Sequence, residues 1–408
     1  MLKIKRHIVR TNWMLASETV DLFNALQGGI AQNEPQALFV GGCVRDTVLD
    51  RDVSDFDIAT PLTPEAVCEI LGAKGIRVIP TGIDHGTVTA ILGEYSYEIT
   101  TLRRDMQTDG RHAIVAYTDS WQEDARRRDF TINTLLMDLM GNIYDPLDCG
   151  LMDLDKGVVR FVGKASQRID EDYLRILRFF RFSALYGGAK FDEEGLIACK
   201  KAANNISSLS RERITQEFFK IIASDKPYEV LNVMFAHDIL KNFDFSDDKM
   251  KFFEYFCGFQ SRYKLCAISS RLFVMASMDL DNVKAMQGLI LFPKVFLTDM
   301  KAISGALNLP DLSCDAAVRE SVYRFGRVST AQALMIELTQ DRVMNSYASK
   351  ALDIVQNWDI PDFPVNGEDL IARGIKPSPE MGAELKRLED KWIAQDFTPD
   401  RDECLSWL

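Results

Sequence analysis

Apolar positions recur with two different periods in the first 150 residues and with one period thereafter. WMLASETVDLFNALQ (13–27) spaces its apolar residues as one face of an amphipathic helix. ALFVGG (37–42) reads as a buried strand running into a glycine turn, CVRDTVL (43–49) as the helix that follows, and DFDIAT (55–60) as a short strand. TPEAVCEIL (63–71) opens with Thr-Pro and a glutamate in its first turn, a helix start. GTVTAILG and YSYEITTL alternate on either side of Glu94 and predict a strand pair. The polar RRDMQTDGRHAIVAY (103–117), with a glycine near its centre, predicts a mobile loop. ARRRDFTINTLLMDLM (125–140) predicts a helix, and NIYDP a strand before a turn.

Past Gly150 the strand signals fade. EDYLRILRFFRFSALYG, RITQEFFKIIA, YEVLNVMFAHDIL and AAVRESVYRF all keep helical spacing, and DFPVNGEDLIARG and KPSPEMGAELKRLEDKWI read as a turn-capped helical end. The expectation is a small mixed head followed by a long all-helical part, with no internal repeat. At 408 residues the chain has room for two to four domains. It is 47% hydrophobic and 26% charged, ordinary for a folded protein, and has no apolar run of about 18 residues, so no membrane span is expected. The basic N-terminus has no apolar signal region, so secretion is not expected. Eight cysteines form no CxxC pair, which argues against a zinc ribbon and fits a reducing, cytoplasmic compartment. His237-Asp238 lacks nearby histidine partners and reads as a helix-end pair rather than part of a metal phosphohydrolase.

The net charge of −12 disfavours nonspecific nucleic-acid binding by the whole chain. The arginines cluster, however, at 103–104, at 126–128 and at 175, 178 and 181, so one basic cleft is compatible with an acidic protein.

The candidate chemistry begins at VSDFDIAT. In a strand, residues two apart face the same side. Asp55 and Asp57 therefore share one face, about 6–7 Å apart by strand rise, while Phe56 and Ile58 anchor the other. Two like charges so placed call for a cation, and magnesium suits carboxylate plus phosphate oxygens. Alone, a D-x-D is more often the solvated face of an edge strand. Upstream lies GGCVRD, where Gly41 and Gly42 allow close backbone approach, a helix start can hold an anion, and Arg45 adds a forked donor. Together these are a phosphate grip beside a metal grip.

GGCVRD followed by VSDFDIAT resembles the head signature of the class II tRNA nucleotidyltransferases and bacterial poly(A) polymerases. The resemblance continues in family order from about Ala37 to Ile222, through YEITTLRRD, RRRDFTINTLLMD, GLMDLDKGVVRFVG, EDYLRILRFFRF and SRERITQEFFKII. It implies an α+β polymerase-β-like nucleotidyltransferase head at 1–147, then an elongated all-α neck (148–222), body (223–310) and tRNA-binding tail (311–408). It implies a CCA-adding enzyme that transfers C, C and A from CTP and ATP to the tRNA 3′ end. On this resemblance Asp55 and Asp57 would be the catalytic pair and hold Mg²⁺, and Gly42 and Arg45 would hold the triphosphate. Arg128, or Arg127 beside it, contacts the nucleotide, and Asp129 holds a sugar hydroxyl or orients an arginine.

On one helix, Asp172, Arg175, Arg178 and Arg181 at steps of three form an inclined ridge. The ordinary reading is a set of ion pairs such as Glu171 with Arg175 at i,i+4. The sharper one is a template. Cytosine and adenine both offer an amino donor beside a ring-nitrogen acceptor, which Asp172 and Arg175 match. Guanine and uracil present the reverse and leave buried polar groups unpaired. The resemblance gives these residues the same role and places Arg178 and Arg181 beside the triphosphate or the acceptor end. Glu98 could be a third acid beside the metal, but a solvent-facing strand glutamate is the more ordinary reading, and it stays outside the expected catalytic set.

The rival activities are a poly(A) polymerase and a CC-only or A-only enzyme, and a non-catalytic RNA-binding protein is more remote. The acidic C-terminal DFTPDRDECLSWL, without a long basic extension, weighs against the polymerase. Asp105, Gly110 and Arg111 in the segment resembling the family's specificity loop weigh toward full CCA addition. The sequence sets no oligomeric state.

Overall fold

The structure, a computed structural model, describes residues 2–27, 35–109, 112–188, 190–241, 246–309 and 312–408. The chain divides into two compact units, Met1–Lys241 and Asn242–Leu408.

The strands of the first unit are β1 (Ile4–His7), β2 (Leu38–Val40), β3 (Phe56–Thr60), β4 (Arg77–Gly82), β5 (Thr87–Leu92), β6 (Tyr95–Thr101), β7 (Arg103–Asp109), β8 (His112–Tyr117), β9 (Leu136–Met137) and β10 (Asn142–Tyr144). Eight of them form one mixed sheet in the order β1-β10-β9-β2-β3-β6-β5-β4, in which only β3 and β6 run parallel. The apolar LFV of β2 is buried on both faces, as a central strand requires. Leu38, Val40, Ala59, Leu102, Trp121 and Leu136 form the core cluster beneath this part of the sheet.

The helices of this unit are α1 (Asn12–Leu15), α2 (Ser17–Gln27), α3 (Gly42–Val48), α4 (Pro64–Ala73), α5 (Trp121–Arg126), α6 (Gly150–Lys156), α7 (Ala165–Glu171), α8 (Leu174–Tyr186), α9 (Glu193–Ala202), α10 (Arg211–Ile222) and α11 (Pro227–Ala236). The Thr-Pro start of α4 behaves as its sequence predicts, with the Thr63 hydroxyl accepting from the Ala66 N–H at 3.3 Å. Helix α8 is tied to the head by an aromatic ladder. Phe179 stacks on Phe161 at 5.3 Å, and Phe130 packs against both Phe161 and Phe182. These buried rings fix which way the arginines of α8 point.

Three sequence expectations are corrected here. The predicted loop at 103–117 contains the antiparallel hairpin β7–β8, with a register shift between Asp105 and Gln107. Its Gly110 and Arg111, and the side chain of Asp105, lie outside what the structure describes. The predicted helix at 125–140 ends at Arg126, followed by a single 3₁₀ turn, Thr131–Asn133, and by β9. Its apolar run serves a buried strand, which periodicity alone does not separate from a buried helix. Asp172 does not share a helix with Arg175: it has extended backbone (φ −158°, ψ 108°) in the break between α7 and α8. Two strands, β1 and β4, went unpredicted, and both sit at the edges of the sheet.

The second unit is helical throughout its described residues. The long helix Asp315–Thr339 breaks at Gly326, whose φ of 81° only glycine adopts easily. Its C-terminal half joins a buried polar set in which Gln260 Nε2 and Ser270 Oγ both donate to Gln332 Oε1, at 2.7 and 2.8 Å. Trp392 centres a second core with Leu370, Leu388 and Cys404. No helix among the described residues is long and apolar enough to cross a membrane.

Candidate active site

A cleft of about 550 Å³ opens within the first unit, and three separated sequence segments supply its wall. From the first come Gly41, Gly42, Arg45, Asp55 and Asp57, from the second Arg127 to Asp129 with Asn133, and from the third Asp172, Arg175, Arg178, Arg181 and Phe182. All nine residues singled out in the sequence as catalytic or nucleotide-binding therefore line one cavity. Six arginines and four aspartates are among its lining residues, so a locally basic cleft exists in a chain of net charge −12.

The glycine turn is built by necessity. Gly41 sits at φ 73°, ψ −120°, a conformation closed to side-chain-bearing residues, and hands the chain from β2 into α3. No side chain caps α3. Arg45 is not an open donor. Its Nε and Nη2 donate to the Asp46 carboxylate at 3.1 and 2.9 Å, and its Nη1 donates to Asn133 Oδ1 at 2.6 Å. Its guanidinium also lies over the Tyr186 ring, 4.1 Å from the centroid. The expected phosphate donor thus serves as a buried strut between α3, the 3₁₀ turn and α8.

Strand β3 starts at Phe56, so Asp55 lies in the exposed segment leading into it, while Asp57 is half-buried on the strand itself. Asp57 pairs in parallel register with Glu98 of β6. Burial, with the charges of Glu98 and Asp55, pushes the Asp57 carboxyl up from 3.8 to about 6, while Arg128 and Arg45 pull the other way. Glu98, left open in the sequence, is therefore electrically part of this acidic edge.

Asp124 on α5 is buried and holds two arginines at once. Arg127 Nε donates to its Oδ1 at 2.8 Å, and Arg128 Nη2 donates to its Oδ2 at 2.9 Å. Burial would raise the Asp124 carboxyl, but Arg128 and Arg127 together hold it below the ordinary range. A Cβ on Gly41 would stand 3.7 Å from Arg128 Nη1, so Arg128 is the one aimed at the glycine turn.

Asp129 accepts from Arg178 Nε and Nη2 at 2.8 and 2.6 Å and, through its other oxygen, from Asn133 Nδ2 at 2.9 Å. Here too burial works upward, and Arg178 with these hydrogen bonds keeps the carboxyl low. Arg181 Nε donates to the buried Glu217 of α10 at 2.6 Å. Arg45, Arg178 and Arg181 all approach the Phe182 ring, at 5.2, 5.2 and 4.2 Å from its centroid. The expected Glu171–Arg175 pair is present. Asp172, just ahead of α8, accepts from the Leu174 N–H at 3.1 Å, and its other oxygen accepts from Arg213 Nη2 at 2.7 Å.

Sequence reasoning overlooked Asp124, Asn133, Phe182, Arg213 and Glu217. Asp124 was findable: it stands three and four residues before the arginines it binds, the spacing of helical ion pairs. Arg213 and Glu217 reach the site across 41 and 36 residues, with no local signal.

Comparison with known proteins identifies the family. Residues 37–160 match the Poly A polymerase head domain, and 188–245 match a family described as the probable RNA and SrmB-binding site of polymerase A. The chain is 33% identical over 391 residues to CCA tRNA nucleotidyltransferase 1, mitochondrial, of Danio rerio, covering 92% of this chain and 88% of the relative. It is 32% identical over 388 residues to the CCA-adding enzyme of Streptococcus pneumoniae, covering 91% and 93%. The fold matches that of the Bacillus stearothermophilus CCA-adding enzyme in complex with CTP, with a TM-score of 0.75 at 24% identity over 96% of this chain and 95% of that one. With identity above 30% sustained along nearly the whole of these relatives, the chain belongs to the family of CCA-adding tRNA nucleotidyltransferases.

Proposed function

We propose that the protein adds C, C and A, from CTP and ATP, to the 3′ end of tRNA, releasing pyrophosphate at each step. The observation that carries the reading is the convergence of an acidic edge, a glycine turn and the Asp172–Arg175 pair on one cleft.

The donor set fits magnesium. The Asp57 carboxylate makes no hydrogen bond or ion pair with a described residue, and burial, with the charges of Glu98 and Asp55, pushes its pKa to about 6, an environment that a bound cation would relieve. Among the described residues no three His, Cys, Asp or Glu side chains form a protein-only metal cage. Magnesium needs none, since it takes one or two carboxylates and completes its shell with substrate phosphates and water. Held by Asp55 and Asp57, it would polarise the α-phosphate and ease deprotonation of the attacking tRNA hydroxyl.

The chain's own residues do the remaining work. Asp124 presents Arg128 to the triphosphate beside Gly41 and Gly42. Asp129 steers Arg178, and Glu217 steers Arg181, so both guanidiniums meet the phosphates or the acceptor end already oriented. Asp172 accepts from the amino group of cytosine or adenine, and Arg175 donates to the adjacent ring nitrogen. Guanine and uracil would set acceptor against acceptor and donor against donor. The head (1–147) supplies the acids and the neck (148–222) the reading pair. The body (223–310) and tail (311–408) hold tRNA by shape and backbone, as suits a structured RNA. All eight cysteines are free, which fits a reducing compartment such as the cytoplasm, although the vertebrate relatives are mitochondrial.

The test is incubation with tRNA lacking its last three nucleotides and each labelled triphosphate in turn. Addition of two C and then one A is expected. A long A tail would identify a poly(A) polymerase, and C alone or A alone a partial enzyme. Asp55→Ala with Asp57→Ala should remain folded and add nothing, and retained activity would refute the assignment of the acids.

A further inference from the structure

Asp172, in extended backbone just ahead of α8, and Arg175, in the first turn of α8, carry opposite charges three residues apart. Charges this close attract, and a contact between them would close both to a nucleotide. Instead each is held by a different partner. Arg213, on α10, donates from Nη2 to Asp172 Oδ2 at 2.7 Å, and the Leu174 N–H takes Oδ1. Arg175 Nη1 donates to the Arg168 carbonyl at 2.8 Å and to the Glu171 carboxylate.

These holds orient the pair without exhausting it. A carboxylate has about four acceptor positions, so Asp172 keeps capacity on both oxygens. Arg175 Nε and Nη2 make no hydrogen bond to a described residue, leaving donors for a ring nitrogen. Asp172 and Arg175 line the cleft, whereas Arg213 and Glu171 do not. The two holders therefore reach a nucleotide only through the residues they hold.

We propose that Arg213, with Glu171 as its counterpart, is a positioning residue for base selection: the crossed ion pairs Arg213–Asp172 and Glu171–Arg175 keep the reading pair apart and aimed into the cleft. The inference rests on the reading of Asp172 and Arg175 as the template. Without Arg213, Asp172 swings toward Arg175, the donor and acceptor directions are lost together, and the mismatch that rejects guanine and uracil weakens with the match that accepts cytosine and adenine.

The experiment compares kcat/KM for CTP, UTP, ATP and GTP on trimmed tRNA for the full-length protein and for Arg213→Ala, Arg213→Lys, Glu171→Gln and Asp172→Asn. Arg213→Ala should lower the CTP/UTP and ATP/GTP ratios by about tenfold or more, mainly through KM for the correct nucleotides. It should leave the Kd for tRNA unchanged, and Arg213→Lys should restore part of the selectivity. Glu171→Gln, which keeps the shape of the side chain, should shift the ratios the same way. A purely structural role would depress all four triphosphates in proportion and leave the ratios fixed. Fixed ratios in Arg213→Ala and Glu171→Gln, with altered ratios in Asp172→Asn, would overturn the positioning role alone. Fixed ratios in Asp172→Asn would overturn the template reading and this inference with it.

Discussion

Asp57 and Glu98 face each other across the parallel pair β3–β6, two carboxylates in one register with no hydrogen-bonded cation between them among the described residues. The arrangement costs folding energy until a cation arrives. Asp57 titrates at about 6 in the folded chain against an ordinary 3.8, so the folded state prefers it protonated. Its contribution to stability is fully present below pH 3.8 and is lost as pH rises through about 6. Asp57→Asn should therefore stabilise the metal-free protein at pH 7–8 by about 1–3 kcal/mol, the upper figure being the whole shift and the lower one discounted for the exposed part of the side chain. The gain should vanish near pH 4. Thermal melts in chelator across that range check the sign. An Asp57→Asn protein no more stable than the parent at pH 8 would show that the acidic edge is not under strain.

Asp124 is the shared counter-ion of Arg127 and Arg128, and removing it strands two guanidiniums in a half-buried wall. Breaking a buried pair by deleting one partner costs about 3–5 kcal/mol. Asp124→Ala should lower the unfolding midpoint and raise KM for CTP and ATP by similar factors, because the arginines it aims meet phosphate and not base. A rise confined to one nucleotide would move Arg128 from the phosphates to the base.

The elements easiest to read in the sequence are those whose signal is local. The glycine turn, the β3 acids, the capped start of α4 and the amphipathic α8 each carry their reason within a dozen residues. The acids and arginines were legible as a set because their types and order along the chain match one chemistry. Hidden were the features made by distance: the place of Asp172 just ahead of α8, which depends on a helix break that apolar periodicity passes over, and Glu217 and Arg213 of α10. Arg45 shows the same limit from the other side. Its place beside the glycines suggested a phosphate donor, but Asn133, 88 residues away, and the Tyr186 ring occupy it. Edge strands such as β4 were missed because an exposed strand has little apolar alternation to betray it.

Gly41 and Gly42 are adjacent, yet they should differ sharply in tolerance. A Cβ on Gly41 meets its nearest neighbour at 3.7 Å and one on Gly42 likewise at 3.7 Å, ordinary contacts in both cases. Only Gly41 has positive φ. Gly41→Ala should therefore cost about 1–3 kcal/mol from backbone strain and reduce activity by distorting the turn between β2 and α3. Gly42→Ala should keep the fold within about 1 kcal/mol. Chemical denaturation of the two variants side by side separates strain from crowding, and equal costs would contradict this account.

Phe182 and Phe179 lie on the same helix and are both buried, but only Phe182 presents its ring to Arg45, Arg178 and Arg181. Phe179 instead stacks on Phe161 and lies tilted against Phe130. Replacing either with leucine removes comparable aromatic area, so both variants should lose about 1–3 kcal/mol of stability. The cation–π contacts, worth about 0.5–2 kcal/mol each as they leave water, are lost only in Phe182→Leu. That variant should therefore raise KM for both CTP and ATP several-fold and make activity more sensitive to salt, while Phe179→Leu should leave KM near the parent value at a temperature where both are folded. If the two variants proved equal in KM and salt response, the ring beneath the three arginines would be core packing and nothing more, and their orientation would fall to their polar partners: Asp46 and Asn133 for Arg45, Asp129 for Arg178 and Glu217 for Arg181.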